Sequence, residues 1–209
     1  MQGQMRNLVK GIHSFQKGYF ASHSKLFQHL SASGQSPETL FITCSDSRVV
    51  PNLITSAAPG ELFIVRNIGN VVPDPALGDG TAAAIQYAVE VLAVQNIVIC
   101  GHTQCGAMTA LLNPQTVETL PFVKHWIDQT SKVRLLIEQR YAHLEPERRL
   151  NVAAQENVLA QLENLRSFPF VAERLEAGKL RVSGWVFHIS TGEVFAYDPE
   201  RDEFTVLGA

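Results

Sequence analysis

Two short stretches, far apart in the chain, carry the residues best suited to chemistry: Cys44-Ser45-Asp46-Ser47-Arg48 and His102-Thr103-Gln104-Cys105. Each follows closely on an apolar run, residues 39–43 in one case and 96–100 in the other. Together they offer two thiols and an imidazole. Zinc favours thiolate sulfur and imidazole nitrogen in a tetrahedral shell, and a catalytic zinc keeps one position open. Cys44, His102 and Cys105 would fill three positions and leave the fourth to water. On an exposed loop Asp46 and Arg48 would be an ordinary surface ion pair. Two residues from a metal ligand they mean more, because an arginine can clamp a carboxylate through two parallel hydrogen bonds and keep it ionised. Such a carboxylate can orient a zinc-bound water or bind the zinc itself. Cys100 ends an apolar run and reads as a small buried side chain.

Rival motifs fit less well. A cysteine-phosphatase loop needs an arginine six residues past the cysteine, and the residue there is Val50. There is no Cys-x-x-Cys redox pair. Gly78-Asp79-Gly80-Thr81-Ala82-Ala83 follows a loose dinucleotide pattern, but neither a preceding strand nor the required acidic residue accompanies it. A metal-free hydrolase using Cys44 or Cys105 with His102 stays open. The histidines at 13, 23, 29, 125 and 143 lie on expected helices among polar neighbours and read as solvent-facing.

Composition narrows the setting. The chain has 209 residues, 45% of them hydrophobic, enough for one domain with a sizeable core. A net charge of −3 and no basic run longer than Arg148-Arg149 argue against nucleic acid. No apolar run is long enough to span a membrane. The N-terminus lacks the apolar stretch of a secretory signal. Three cysteines make no disulfide framework, so a reducing cytoplasm is expected. A mean hydropathy of +0.02 suits a large core or an apolar surface buried between subunits.

These residues need elements to position them. Apolar spacing predicts helix over residues 5–31, in two pieces. Strands are expected at 39–43, 61–66 and 96–100. Helices are expected from Pro51 to Ala57, from Gly80 to Ala93 behind an Asp79 cap, and over 106–112. Residues 121–140 and 148–166 read as two long helices and 170–176 as a short one. Residues 180–197 read as a hairpin. Strands alternating with helices imply an α/β fold, a mostly parallel sheet with helices on both faces. The hairpin adds an antiparallel edge, and an N-terminal helical arm precedes the sheet. Ligands of such sheets bind outside the carboxyl ends of the strands. Cys44 and His102 both sit just past such an end.

At this level of detail the chain resembles the β-class carbonic anhydrases. The resemblance rests on the two ligand stretches together with Gly34-Gln35-Ser36-Pro37, Pro59-Gly60-Glu61, Val65-Arg66-Asn67-Ile68-Gly69-Asn70, Gly101-His102 and Cys105-Gly106. It covers roughly residues 35–190, and the 156–165 helix and Gly184-Trp185 are similar to cyanobacterial carboxysomal members. It implies reversible hydration of carbon dioxide to bicarbonate and a proton by zinc-bound hydroxide. Zn2+ would be held by Cys44, His102 and Cys105, with Asp46 and Arg48 as a catalytic dyad. Gln35 would reach the active site across a dimer interface, Phe63 and Tyr87 would form an apolar pocket for carbon dioxide, and Gly106 would give backbone access. It further implies a homodimer or higher oligomer of dimers, with residues 1–34 as the arm that embraces the partner and 35–209 as the catalytic domain. Residence in the cytoplasm or within a carboxysome, with a carboxysome scaffold protein as partner, belongs to the same expectation. Members inhibited by non-catalytic bicarbonate carry a tryptophan and a tyrosine where this chain has Phe41 and Phe187, so the branch whose zinc stays open to water is the nearer one. A structural zinc protein closed by Asp46 is the alternative to catalysis.

Overall fold

The computed structural model describes residues 3–208. The chain divides into two compact units, one ending at Ser36 and the other beginning at Pro37. The first is helical: α1 (Gly3–Phe15), a widened π turn at Gln16–Phe20, and α2 (Ser24–Ser33). Phe15, Tyr19, Phe20 and Phe27 pack into an aromatic cluster across the turn. The two helical pieces match the sequence expectation.

The second unit is a six-stranded sheet in the order β2-β1-β3-β4-β5-β6. In chain order its elements are β1 (Thr39–Cys44), α3 (Pro51–Thr55), β2 (Leu62–Asn67), α4 (Gly80–Gln86), β3 (Asn96–His102), α5 (Gly106–Leu112), α6 (Pro121–Asp128), α7 (Ser131–Arg140), α8 (Pro146–Arg166), α9 (Pro169–Glu176), β4 (Arg181–Phe187), β5 (Val194–Asp198) and β6 (Glu203–Val206). The first four strands of the order are parallel; β5 and β6 are antiparallel. The central strands β1 and β3 are buried along nearly their whole length. That is why Leu-Phe-Ile-Thr-Cys and Ile-Val-Ile-Cys read as continuous runs rather than alternating ones.

One sheet face carries the main core. Leu40, Ile42, Ile97, Ile99 and Val186 meet Ile85 and Val89 from the α4 side and Val158, Leu162 and Leu165 of α8. Burying each such side chain stabilises by roughly 1.5–3 kcal/mol. The opposite face buries Phe41, Val98 and Cys100, with Ile64, Trp185 and Phe187 against them. Asp79 caps α4 as expected, its Oδ1 accepting from Thr81 N at 2.8 Å and Ala82 N at 3.0 Å.

The structure corrects three boundaries. The helix expected over 80–93 is regular only to Gln86, then widens into a π turn at Tyr87–Val91. The helix expected over 121–140 is two helices. Thr130 donates both its N–H and its hydroxyl to the Ile127 carbonyl, at 2.8 and 2.7 Å, which ends α6 and lets α7 start afresh. The sheet edge is β6, not the hairpin strand β5. Its four residues are too few to show an alternating pattern, and Asp202, at φ 53°, forms the turn before them.

The seating of α8 depends on two glycines. A Cβ at Gly184 of β4 would lie 2.7 Å from Val158 Cγ1 and 2.8 Å from Leu162 Cδ1, and one at Gly101 of β3 would lie 2.9 Å from Val158 Cγ2. Only bare backbone lets the helix come this close to the strand that ends in His102. Gly184→Ala should therefore lower stability by about 1–3 kcal/mol, read as a fall in the urea midpoint at unchanged slope. A midpoint equal to the parent's would mean that α8 shifts freely on the sheet.

Candidate metal centre

The site forms where β1 and β3 end side by side. Cys44 is the last residue of β1, and His102 the last of β3. Cys105 caps the N-terminus of α5. The parallel pairing of β1 with β3 therefore brings two residues 58 positions apart (44 and 102) to one edge of the sheet. One ligand atom from each of Cys44, His102 and Cys105 lies within 4.8 Å of the others, and all three residues are buried.

The donor atoms are prepared for a metal. His102 Nδ1 lies 2.9 Å from the Thr103 carbonyl oxygen. A carbonyl only accepts, so Nδ1 carries the proton and Nε2 keeps its lone pair. That Nε2 is buried and has no hydrogen-bond partner. The Cys44 thiol is held well below its usual range, chiefly by the hydrogen bond from Cys105, with His102 and the Gly69 N–H adding to it against the opposing effect of burial. Cys105 is pushed up by the same bond to Cys44 and by burial. A tetrahedral zinc with bonds of about 2.0–2.3 Å sets its ligand atoms roughly 3.5–3.8 Å apart, which this cluster accommodates. Two buried sulfurs and an unpartnered imidazole nitrogen, gathered within 4.8 Å, fit a zinc ion. Cys100 stands outside the cluster, fully buried, its thiol pushed up to about 12 by burial.

Asp46 and Arg48 form the fork their spacing allows. Arg48 Nε donates to Asp46 Oδ1 at 2.9 Å and Nη2 to Oδ2 at 2.8 Å, and the Arg48 backbone N–H adds a third bond at 2.9 Å. Arg48 chiefly, against a smaller opposing effect of burial, holds the carboxyl well below the usual carboxylate range. Its contribution to stability is therefore present above the ordinary carboxylate pKa and lost only as pH falls through the lowered value. Oδ2 is 3.9 Å from His102 Nε2, so the carboxylate faces the ligand cluster while both its oxygens remain on Arg48.

Sequence reading missed the residues that tie the two ligand loops together. Arg48 Nη2 also donates to the Gln104 carbonyl at 3.2 Å, and Gln104 takes the left-handed conformation, φ 56°. Such backbone strain gathers at functional sites. Arg66 donates to the carbonyls of Cys44 at 3.1 Å and Asp46 at 2.7 Å. Its guanidinium thus fastens the first loop, while Phe41 is buried edge-on against Trp185. Gly69 N–H lies 3.4 Å from Cys44 Sγ. Gly69 and Arg66 both lie in the Val65-Arg66-Asn67-Ile68-Gly69-Asn70 stretch that carries the family resemblance, but no local spacing tells which atom either would meet.

The remaining expected site residues fall elsewhere. Gly106 is the first residue of α5, and a Cβ there would meet nothing within 4 Å, so the space beside Cys105 is open. Phe63 and Tyr87 lie together, ring centroids 6.0 Å apart, with Tyr87 partly exposed. Phe63 pairs with Leu40, four register steps before the Cys44–Asn67 pair, or about 13 Å along the strand. Within one chain they are not brought to the zinc ligands. Gln35 is exposed in the helical unit.

Comparison with known proteins agrees with this geometry. The carbonic anhydrase family profile matches residues 39–194. A carbonic anhydrase of Synechocystis is 46% identical over 96% of this chain and 73% of its own length. The β-carbonic anhydrase CcaA superposes with a TM-score of 0.95 at 44% identity, covering 99% of this chain and 93% of that one. A tetrameric β-carbonic anhydrase from the ascomycete Sordaria macrospora gives 0.83 at 29% identity, covering 100% and 98%. The chain belongs to the carbonic anhydrase family, in its β class. Its reaction is the zinc-dependent, reversible hydration of carbon dioxide to bicarbonate and a proton.

Cys44→Ser and His102→Ala should each strip most of the zinc from a protein that otherwise holds about one ion per chain, whereas Cys100→Ala should keep it all. Elemental analysis of the purified variants decides this. Full zinc in Cys44→Ser would overturn the ligand assignment.

Proposed function

We propose that Asp46 and Arg48 are the catalytic dyad of this carbonic anhydrase, acting beside the ligands Cys44, His102 and Cys105. The observation that carries the proposal is the carboxylate held by two oxygens on Arg48 while Oδ2 faces the buried, unpartnered Nε2 of His102. Zinc, when bound, supplies the Lewis acidity that makes water a nucleophile at neutral pH. Asp46, ionised throughout the neutral range, accepts a hydrogen bond from the attacking water and so aims its lone pair at the carbon of carbon dioxide. Arg48 holds the carboxylate off the metal position and keeps it ionised. The open space beside Gly106 admits the substrate next to Cys105. Phe41 and Phe187 bring no polar donor that would hold a second bicarbonate, so no anion-driven closure by Asp46 is expected.

The same reading makes the active unit a dimer. Phe63 and Tyr87 lie far from their own chain's ligands, which suits a pocket wall offered to a second copy. Residues 1–34 expose Leu8, Ile12 and Phe15, an apolar row fit to embrace a partner. Gln35 then donates to a substrate oxygen in the second copy's site. The likeness to cyanobacterial relatives supports a cytoplasmic enzyme that can enter a carboxysome through a scaffold protein. Among the described residues no helix is long and apolar enough to cross a membrane.

Arg48→Ala should release Asp46 toward the metal, with hydration falling at least about 100-fold while elemental analysis still finds the parent's zinc. Parent-like activity in that variant would remove the dyad from the mechanism. Supply of Gln35 across the interface has its own test. A mixed dimer of one Gln35→Ala chain and one Cys44→Ser chain keeps one native site if the glutamine acts on the other subunit, because both lesions then fall in the same site. It keeps none if the glutamine acts within its own chain. Half the parent's activity per dimer is expected, and activity no higher than the Gln35→Ala homodimer would refute the shared site.

A further inference from the structure

The loop after β2 is fastened by side chains that belong neither to the ligand set nor to the dyad. Asn67 closes it locally, accepting from Val71 N at 2.7 Å and donating to Val71 O at 2.8 Å. The Trp126 indole N–H of α6 donates to the Ile68 carbonyl at 2.8 Å. From α8, three amides spaced i, i+4 and i+7 reach the same loop. Asn157 Nδ2 donates to the Gly69 carbonyl at 2.9 Å. Gln161 Oε1 accepts from Val72 N at 2.8 Å, and Asn164 Nδ2 donates to the Val72 carbonyl at 2.9 Å. Gln161 Nε2 also donates to Asn157 Oδ1 at 2.9 Å, so each amide fixes the orientation of the other.

Asn157 and Gln161 are each only 1% exposed. Burying amides at core positions of a helix is unfavourable unless their donors and acceptors are met. Their neighbours Val158 and Leu162 show what the fold does with positions that serve packing alone. The two amides instead hold Gly69 at φ +78°, where a Cβ would lie 2.9 Å from Ala107 Cβ. Gly69's own N–H, on the preceding peptide unit whose Ile68 carbonyl is held by Trp126, is directed at Cys44 Sγ, 3.4 Å away.

We infer that Asn157 and Gln161 are positioning residues for the metal centre, acting through the backbone conformation of Gly69 to keep its N–H on the Cys44 sulfur. The inference rests on Cys44 being a zinc ligand. A hydrogen bond to a ligand sulfur withdraws electron density from it, so the sulfur gives less charge to the metal and leaves it a stronger Lewis acid. Neither amide touches metal or substrate. The Gly101 and Gly184 contacts that seat α8 on the sheet bring both within reach of the loop.

Cobalt(II) in place of zinc provides the probe, because thiolate-to-cobalt charge transfer reports the electron density on sulfur. Asn157→Leu removes the donor to Gly69, Gln161→Leu removes the brace on Asn157, and Leu165→Ala on the same helix removes packing alone. Both amide variants should move the charge-transfer band to longer wavelength. They should also weaken cobalt binding on the order of 10–100-fold in competition with a chelator. Leu165→Ala should lose stability and keep the parent band. A parent-like band and affinity in folded Asn157→Leu would overturn the inference. An equal shift in Leu165→Ala would do the same. If Asn157→Leu does not fold, Gln161→Leu decides by the same two readings. A parent protein without a thiolate band, or Cys44→Ser that keeps the parent's band, would instead refute the ligand assignment on which the inference rests.

Discussion

Two sulfurs and one imidazole nitrogen converge within 4.8 Å in a buried site. Of these, His102 Nε2 has no hydrogen-bond partner. A buried, unpartnered polar atom is costly, and one that faces two buried sulfurs calls for something to fill the gap between them. A divalent cation does this, which couples metal binding to the stability of the whole second unit. The surrounding residues follow the same logic. Arg48 and the Gly69 N–H bring positive charge or a donor toward a centre rich in lone pairs, and Asp46 is tolerated beside it because Arg48 neutralises both oxygens.

The parallel sheet turns this local chemistry into a rigid site. β1 lies between β2 and β3, so the residues just past its end are reached from both sides. Arg66 of β2 binds two carbonyls of the first ligand loop, and Arg48 of that loop binds Gln104 of the second. The ligands are therefore set on strand ends and cross-braced by arginines, whose planar, permanently charged heads suit fixed geometry better than lysine would. The Asn157–Gln161 pair adds a third brace from the helix that covers the sheet. Its reach depends on how closely α8 approaches β3 and β4, and so on the absence of two methyl groups.

One chain gathers the Cys44–His102–Cys105 cluster and the Asp46–Arg48 pair, and leaves an aromatic pair apart from them. Phe63 lies on β2 well before the site, with Tyr87 of the π turn packed against it, and the apolar row of α1 is exposed. Water is excluded from a site most simply by covering it with apolar surface. An assembly in which each subunit provides that cover for another accounts for both features together.

The sequence by itself picked out the Cys44, His102 and Cys105 that the fold gathers, the Asp46–Arg48 pair and the α/β class. Each is a short-range property: a residue type, a spacing of a few positions, or an apolar run ended by a polar turn. The sheet's parallel core and the Asp79 cap were legible for the same reason. The break at Thr130, the π turn at Tyr87 and the edge strand β6 were not, because each turns on one side-chain bond or one register that propensity does not encode. Only the tertiary structure decided what Arg66, Gly69, Gln104 and Asn157 do. Their partners lie 20 to 88 positions away in the chain, and a hydrogen bond's direction exists only once the strands and α8 have packed. The sequence likewise named Phe63 and Tyr87 but not their distance from their own zinc ligands. That distance is set by strand register, which the packing of both sheet faces fixes and no local motif records.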